Sequence, residues 1–218
     1  MDAATLQKRF KEEILAYSPQ ILHQYFVNNW ISCNEWYNAR LLYTRSCAVW
    51  SMVGFIVALG DRHLENILIN VKSGQCVHID FDCLFDKAKA FKVPEQVSFR
   101  LTKNVMDGFG IQGVEGVFRN CSQCTLDVLK TQRKTLIQSL QSFVCDPLVE
   151  YTSSRPHSHS HSHSHSSRDD SAMRSELRQL QLRLSGYVQS MNFNQNDAKL
   201  YPKIDDKIQF STNGQVQQ

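Results

Sequence analysis

The chain has 218 residues, enough for one substantial core with appendages, and its 42% hydrophobic and 21% charged residues are ordinary for a globular protein. A net charge of +3 from scattered Lys and Arg gives no reason to expect nucleic-acid binding. The longest apolar stretch, residues 48–59, is shorter than the ~20 residues that span a bilayer. The polar start lacks the apolar core of a signal peptide, which predicts that the seven cysteines are reduced thiols.

The spacing of apolar residues predicts a mainly α fold with one small β-hairpin. In chain order, the predicted elements are helices over residues 5–17, 19–29 and 36–59, a hairpin of strands 67–71 and 75–79, a surface loop over 81–99, and helices over about 100–107, 113–131 and 133–144. The compact part is expected to cover residues 1–151.

A Ser/His tract separates this part from the end of the chain. Five histidines alternate with serine from His157 to His165, and the tract buries too little apolar surface to order itself, so residues 152–171 are predicted to be a disordered linker. Strict alternation in a flexible chain gives no fixed geometry for Zn²⁺ or Ni²⁺, so the linker interpretation is preferred to a metal site. Residues 172–218 are predicted to form a helix and a flexible tail.

Three side chains around the predicted hairpin have the spacing of a phosphoryl-transfer site. Protein kinases need an Asp that orients the substrate hydroxyl, an Asn five residues later that holds Mg²⁺, and a second metal-binding Asp after a hairpin. Asp61, Asn66 and Asp80 reproduce that order, and Phe81 follows the last. An isolated Asp-Arg-His would more often be a structural turn. Asn66 and Asp80 favour the catalytic interpretation instead.

The histidines of this region have different predicted roles. His63 follows Asp61 instead of preceding it, so its imidazole is free to donate or accept a proton near the transferring phosphate. His78 alternates with Val77 and Ile79 within a strand, which indicates a packed structural residue.

These residues resemble the catalytic and metal-binding loops of the phosphatidylinositol 3-kinase-related protein kinases. Further motifs resemble the ATR-like checkpoint branch of that family, over roughly residues 8–151. The matching motifs are Leu59-Gly60-Asp61-Arg62-His63-x-x-Asn66-Ile67-Leu68, His78-Ile79-Asp80-Phe81, Phe91-Lys92-Val93-Pro94-Glu95-x-Val97-x-Phe99-Arg100-Leu101-Thr102, Asp107-Gly108-x-Gly110 and Glu115-Gly116-x-Phe118-Arg119.

The resemblance implies a Ser/Thr protein kinase that uses ATP with Mg²⁺, or Mn²⁺ in its place, and prefers Ser or Thr followed by Gln. It implies that Asp61 is catalytic, that His63 assists it, and that Asn66 and Asp80 bind the nucleotide-bound metal. It also implies nuclear action in DNA-damage and replication checkpoints and a recruiting or activating protein partner. The scattered charge and the short apolar stretch separately predict no direct contact with nucleic acid or membrane. The implied segments are a catalytic loop at 59–66, a metal-binding motif at 78–82 and an activation segment at 80–102.

A kinase also needs an N-lobe with a phosphate-covering loop and a Lys. The residues before Asp61 are predicted to be helical, so the chain is expected to be a C-lobe without its N-lobe, and Gly214 to Gln218 resemble the opening of a truncated FATC segment. Two alternatives stay open. In the first alternative, the chain is a catalytically silent interaction or regulatory fragment. In the second, it belongs to a phosphoinositide lipid kinase, which shares the Asp-Arg-His loop.

Two further patterns have structural explanations. Residues 108–113 match G-x-G-x-x-G, but no strand precedes them, so a turn between helices is expected instead of a nucleotide loop. Cys121 and Cys124 are expected to be core residues of a helix, since no second pair of zinc ligands accompanies them.

Overall fold

The computed structural model describes residues 19–95, 97–144 and 166–186, together with the isolated positions 5, 8, 9, 12 and 13. Its helices are α1 (Leu22–Asn29), α2 (Cys33–Val57), α3 (Lys103–Asp107), α4 (Val117–Thr131), α5 (Arg133–Val144) and α6 (Ser166–Leu184), and its strands are β1 (Ile67–Ile69) and β2 (Cys76–His78). Short 3₁₀ turns lie at Leu64–Asn66, Lys87–Ala90 and Gly113–Glu115. The predicted mainly α fold with one hairpin is confirmed, while most of the predicted helix over 5–17 lies outside the described residues.

Helix α2 is the central element, and α1, α4 and the hairpin pack around it. A run of aromatic contacts forms the core beside it, from Phe26 through Tyr43 and Phe109 to Phe118. The helix begins three residues before the predicted Trp36 and ends at Val57 instead of Leu59. It ends there because Ala58 takes a left-handed conformation with φ of 49°. The main-chain N–H of Leu59 then donates to Gly54 O at 2.9 Å, which closes the helix end.

The main-chain N–H groups at the start of helix α1 donate to side chains of α3. The Asn104 side chain accepts from the main-chain N–H groups of Ile21 and Leu22 at 2.9 and 3.0 Å. Asp107 Oδ2 accepts from the main-chain N–H of His23 at 2.9 Å and lies 2.7 Å from its ring Nδ1. These side chains occupy donors that a helix start leaves unpaired, so α1 and α3 stabilise one another.

Strands β1 and β2 are antiparallel, with Leu68 opposite Val77. The predicted hairpin is confirmed, with strands shorter than expected. One face packs against α2, because the main-chain N–H of Cys76 donates to Ser46 Oγ at 2.8 Å and the His78 ring stacks on Trp50 with centroids 5.0 Å apart. His78 is half-buried in this stack, which agrees with its predicted structural role.

Two expectations for the region around α4 meet different outcomes. The G-x-G-x-x-G match is a turn, as predicted, and Gly110 has φ of 85°, a conformation that favours glycine. The expectation of two core cysteines is wrong for Cys124, which is exposed, while Cys121 is intermediate. The reason is the helix period: the buried stripe of α4 is Phe118, Ser122 and Leu126, and Cys124 lies away from it.

Helix α6 begins at Ser166, six residues before the predicted 172 and within the tract assigned to the linker. Residues 153–165 of the tract lie outside the described residues.

Helix α6 packs on the end of α2 and on the loop after β2. Leu184 is buried with Met52 and Phe55, and Leu180 is buried with Phe85. The Arg183 guanidinium forms an ion pair with Asp86. Within the described residues, no helix is both long and apolar enough to cross a membrane.

Candidate active site

The hairpin brings the two predicted loops to the same end of α2. Residues 59–66 follow the helix directly, and residues 78–82 follow β2. The main-chain N–H of Ile79 donates to Asn66 O at 3.1 Å, which continues the hairpin by one further bond. Asp61, Asn66 and Asp80 therefore lie in adjoining segments, as the spacing predicts.

Arg62 connects these two loops through hydrogen bonds to their main chains. The residue is 7% exposed, with Nε donating to Gly60 O at 2.8 Å and Nη1 to Ile79 O at 2.7 Å, while Nη2 donates to Asp80 O. Burial lowers the pKa of Arg62, although nearby carboxylates, chiefly Asp80 and Asp61, oppose that effect. Sequence reasoning assigned Arg62 no role, and the one available signal was its place inside the Asp-Arg-His motif.

Asn66 is buried and holds the main chain of Asp61. Its Nδ2 donates to Asp61 O at 2.9 Å, so Oδ1 is the atom left for a ligand. Asp61 and Asp80 both have left-handed backbones, with φ of 56° and 59°. Such conformations are costly for residues other than Gly and are concentrated at functional sites, where surrounding contacts maintain them.

Asp80 is exposed at the mouth of the site. Its Oδ1 accepts from the main-chain N–H of Asp82 at 3.1 Å, which closes a small turn and leaves Oδ2 for another partner. The described residues contain no cluster of three or more His, Cys, Asp or Glu that would enclose a metal by itself. One carboxylate and one amide oxygen fit Mg²⁺ or Mn²⁺ as bound beside a nucleotide, where phosphates and water complete the shell.

His63 is exposed at the start of the 3₁₀ turn Leu64–Asn66. Its Nδ1 accepts from the main-chain N–H of Glu65 at 3.2 Å. In the neutral ring, an accepting Nδ1 requires that the proton be on Nε2. His63 therefore presents an N–H donor at Nε2.

The main chain of Gly60 and Asp61 contacts the segment after β2. The N–H of Gly60 donates to Cys83 O at 2.8 Å, and the N–H of Asp61 donates to Glu95 Oε1 at 3.0 Å. A Cβ at Gly60 would lie 2.3 Å from Ala88 Cβ, so only glycine permits this approach. Sequence reasoning missed Glu95 because 34 residues separate it from Asp61, and no local spacing signals the contact.

The outer face of the hairpin is apolar. Leu68, Val77 and Ile79 are 46%, 38% and 40% exposed. Strand pairing places Leu68 opposite Val77, on the other face from Ile67 and His78. An apolar surface thus belongs to the strand that directly follows Asn66.

The chain is similar to known kinases in sequence and in structure. The family model "Phosphatidylinositol 3- and 4-kinase" matches residues 1–153. The chain is 47% identical over 160 residues to "Serine/threonine-protein kinase ATR" of Arabidopsis thaliana, covering 72% of this chain and 6% of that protein. It is 43% identical over 149 residues to "Protein kinase rad3" of Schizosaccharomyces pombe, covering 68% of this chain and 6% of that protein.

Solved structures agree with these relatives. "FAT and kinase domain of CtTel1" matches with a TM-score of 0.66 at 34% identity, over 75% of this chain and 11% of that one. "Tel1 kinase butterfly symmetric dimer" matches with a TM-score of 0.68 at 29% identity, over 90% of this chain and 8% of that one. The chain thus spans about 6% of the length of these curated relatives.

Proposed function

Because the chain belongs to the phosphatidylinositol 3- and 4-kinase family, we propose that it forms the catalytic and metal-binding loops of a Ser/Thr protein kinase. The proposed reaction transfers the γ-phosphoryl of MgATP to Ser or Thr, with Gln as the following residue. We assign this activity to a polypeptide that carries this region together with a nucleotide-covering lobe. The resemblance of the sequence motifs to the ATR-like branch motivates the further proposals of checkpoint signalling in the nucleus and of a recruiting protein partner.

Each proposed role uses an atom that the local hydrogen bonds leave available. The Asp61 carboxylate orients the acceptor hydroxyl and takes its proton, with its main chain held by Asn66. Asn66 Oδ1 and Asp80 Oδ2 hold the metal. The bound Mg²⁺ or Mn²⁺ supplies charge neutralisation at the phosphates. His63 donates from Nε2 to the phosphoryl oxygens, where negative charge needs a preorganised donor.

The apolar face of the hairpin gives the nucleotide base a place beside these groups. Leu68 and Ile79 are exposed on this face and would hold the apolar base of a bound nucleotide. Nucleotide sites are generally apolar surfaces with a few convergent polar groups. This face would be covered in the assembled kinase by the base and by the second lobe.

The observation that carries the proposal is the convergence of Asp61, Asn66 and Asp80 on one framework held by Arg62. Replacing Asp61 or Asp80 by Ala in the full-length kinase should lower kcat about a hundredfold or more. Asp82→Asn is the matched control, because it removes a neighbouring charge and keeps the N–H that closes the turn. An active Asp80→Ala enzyme with an unchanged Mg²⁺ requirement would overturn the metal assignment.

A non-catalytic role for this chain by itself is the second candidate, favoured by the exposed apolar face of Leu68, Val77 and Ile79, which another surface would cover. Titration of the purified 218-residue chain with MgATP separates the two. Micromolar binding or turnover would exclude an interaction fragment.

A phosphoinositide lipid kinase is a third candidate, since the matching family model includes enzymes of that description. The curated relatives at 43–47% identity carry the names of protein kinases instead. Comparing a Ser-Gln peptide with a phosphoinositide vesicle as phosphoryl acceptor decides between them. Preferential phosphorylation of the lipid would reject the proposed substrate class.

A further inference from the structure

All four main-chain polar groups of Gly60 and Asp61 are hydrogen-bonded, each to a different part of the site. The two N–H groups donate to Cys83 O and Glu95 Oε1, and the two carbonyls accept from Arg62 Nε and Asn66 Nδ2. The peptide unit between Gly60 and Asp61 is therefore held on both sides, by Arg62 at its oxygen and by Glu95 at its nitrogen. Asp61 keeps its left-handed φ of 56° within this set of contacts.

Among these partners, Glu95 is the one side chain that reaches the loop from beyond residue 83. Its position depends on the local fold of the segment. Ala88 lies within the 3₁₀ turn Lys87–Ala90, and its carbonyl accepts from the N–H groups of Phe91 and Glu95 at 3.4 and 3.2 Å. Ala88 is itself 4% exposed and lies where a Cβ on Gly60 would be. Residues 84–95 thus contact the catalytic loop at two adjacent positions: Ala88 packs against Gly60, and the Glu95 carboxylate accepts from the Asp61 N–H.

We propose that Glu95 is a positioning residue for Asp61, so that the geometry of the catalytic carboxylate depends on the folded state of residues 84–95. The carboxylate acts as a hydrogen-bond acceptor that selects the left-handed backbone of Asp61. When the segment unfolds locally, the Asp61 N–H loses its partner and the peptide unit can rotate. This inference rests on the catalytic role proposed above for Asp61.

The acceptor role makes a specific demand on side-chain length. Glu95→Gln keeps an oxygen at the same distance and should keep the hydrogen bond, whereas Glu95→Asp is one methylene shorter and should lose it along with Glu95→Ala. A role based on negative charge alone would give the opposite order, with Asp tolerated and Gln not. Val93→Ala is the control for the segment, because Val93 is 81% exposed.

The test has two measurements. Amide hydrogen exchange in the 218-residue chain, followed by NMR, should show Asp61 exchanging about ten- to a hundredfold faster in Glu95→Ala and Glu95→Asp, and near the wild-type rate in Glu95→Gln and Val93→Ala. In the full-length kinase, Glu95→Ala should lower kcat about ten- to a hundredfold, with KM for ATP and peptide within about twofold, and Glu95→Gln should restore most of it.

The possible failures are distinguishable. Unchanged exchange at Asp61 in Glu95→Ala, with an active wild-type kinase, would overturn the positioning role alone. Faster exchange with unchanged kcat would also overturn it, because the contact would then be irrelevant to the reaction. An inactive wild-type kinase would instead reject the proposed function, and the positioning role with it, while the exchange data would still decide whether Glu95 holds the Asp61 N–H.

Discussion

Removing Arg62 should destabilise the chain more than removing any exposed cation, because one buried guanidinium holds two loops. In Arg62→Ala, Gly60 O is left in a buried loop without its donor, which costs about 1–3 kcal/mol. The carbonyls of Ile79 and Asp80 belong to exposed residues that water can reach, so their loss should add about 1 kcal/mol. The free energy of unfolding is therefore expected to fall by about 3 kcal/mol.

Urea unfolding of the purified chain measures this change. With a slope of about 2 kcal/mol per molar urea, the midpoint should fall by about 1.5 M. Arg62→Lys should show most of the loss, because one ammonium cannot reproduce a planar fork that contacts three carbonyls. Arg178→Ala, on the exposed side of α6, is the control and should stay within about 0.5 kcal/mol of wild type. An Arg62→Ala midpoint equal to that of the control would refute the connection between the loops.

Three further results are expected, each measured by urea unfolding. Gly60→Ala should cost about 1–3 kcal/mol because its Cβ overlaps the neighbouring segment, whereas Gly54→Ala, with its nearest contact at 3.7 Å in α2, should be neutral or stabilising; equal effects would contradict the close approach. Partial burial raises the pKa of Asp107, but hydrogen bonds from His23 outweigh this effect, so the net pKa lies below its ordinary 3.8. The stabilisation from Asp107 is therefore present above about pH 4 and lost as the pH falls through the lower folded pKa. The difference in free energy of unfolding between wild type and Asp107→Asn should shrink on acidification, and a difference that stays constant would argue against this. Arg183 and Asp86, with side chains 12% and 23% exposed, should show a coupling of about 1 kcal/mol in a double-mutant cycle, and additive effects would mean that α6 docks by apolar contact alone.

The hairpin and the long helix could be predicted because both follow from patterns within a few residues. Alternating apolar positions and the Lys72-Ser73-Gly74 turn specify the hairpin, and its observed register follows from that turn. The end of α2 differs from the prediction, because Ala58 adopts a left-handed cap that glycine normally supplies. The early start of α6 does not follow from the sequence, because the Ser/His composition that predicts a linker continues past Ser166.

The candidate site also contains some residues that local spacing predicts and others that only the fold brings to the site. The spacing of Asp61, Asn66 and Asp80 is a local signal, and the structure places these residues in adjoining loops. The contacts of Arg62 and Glu95 are with main-chain atoms, which have no residue-specific signature and so leave no pattern in the sequence. Catalytic groups could thus be proposed from sequence, whereas the residues that orient them required coordinates.

The stacking of Trp50 on His78 gives the chain a built-in optical reporter. The indole lies 5.0 Å from the His78 ring at an interplanar angle of 6° and 5.8 Å from the Phe81 ring, so it contacts residues on both sides of Asp80. The chain has three tryptophans, and the other two, Trp30 and Trp36, pack in the aromatic core beside α1. With those two replaced by Phe, the emission of one fluorophore would follow any rearrangement around Asp80 without an attached label.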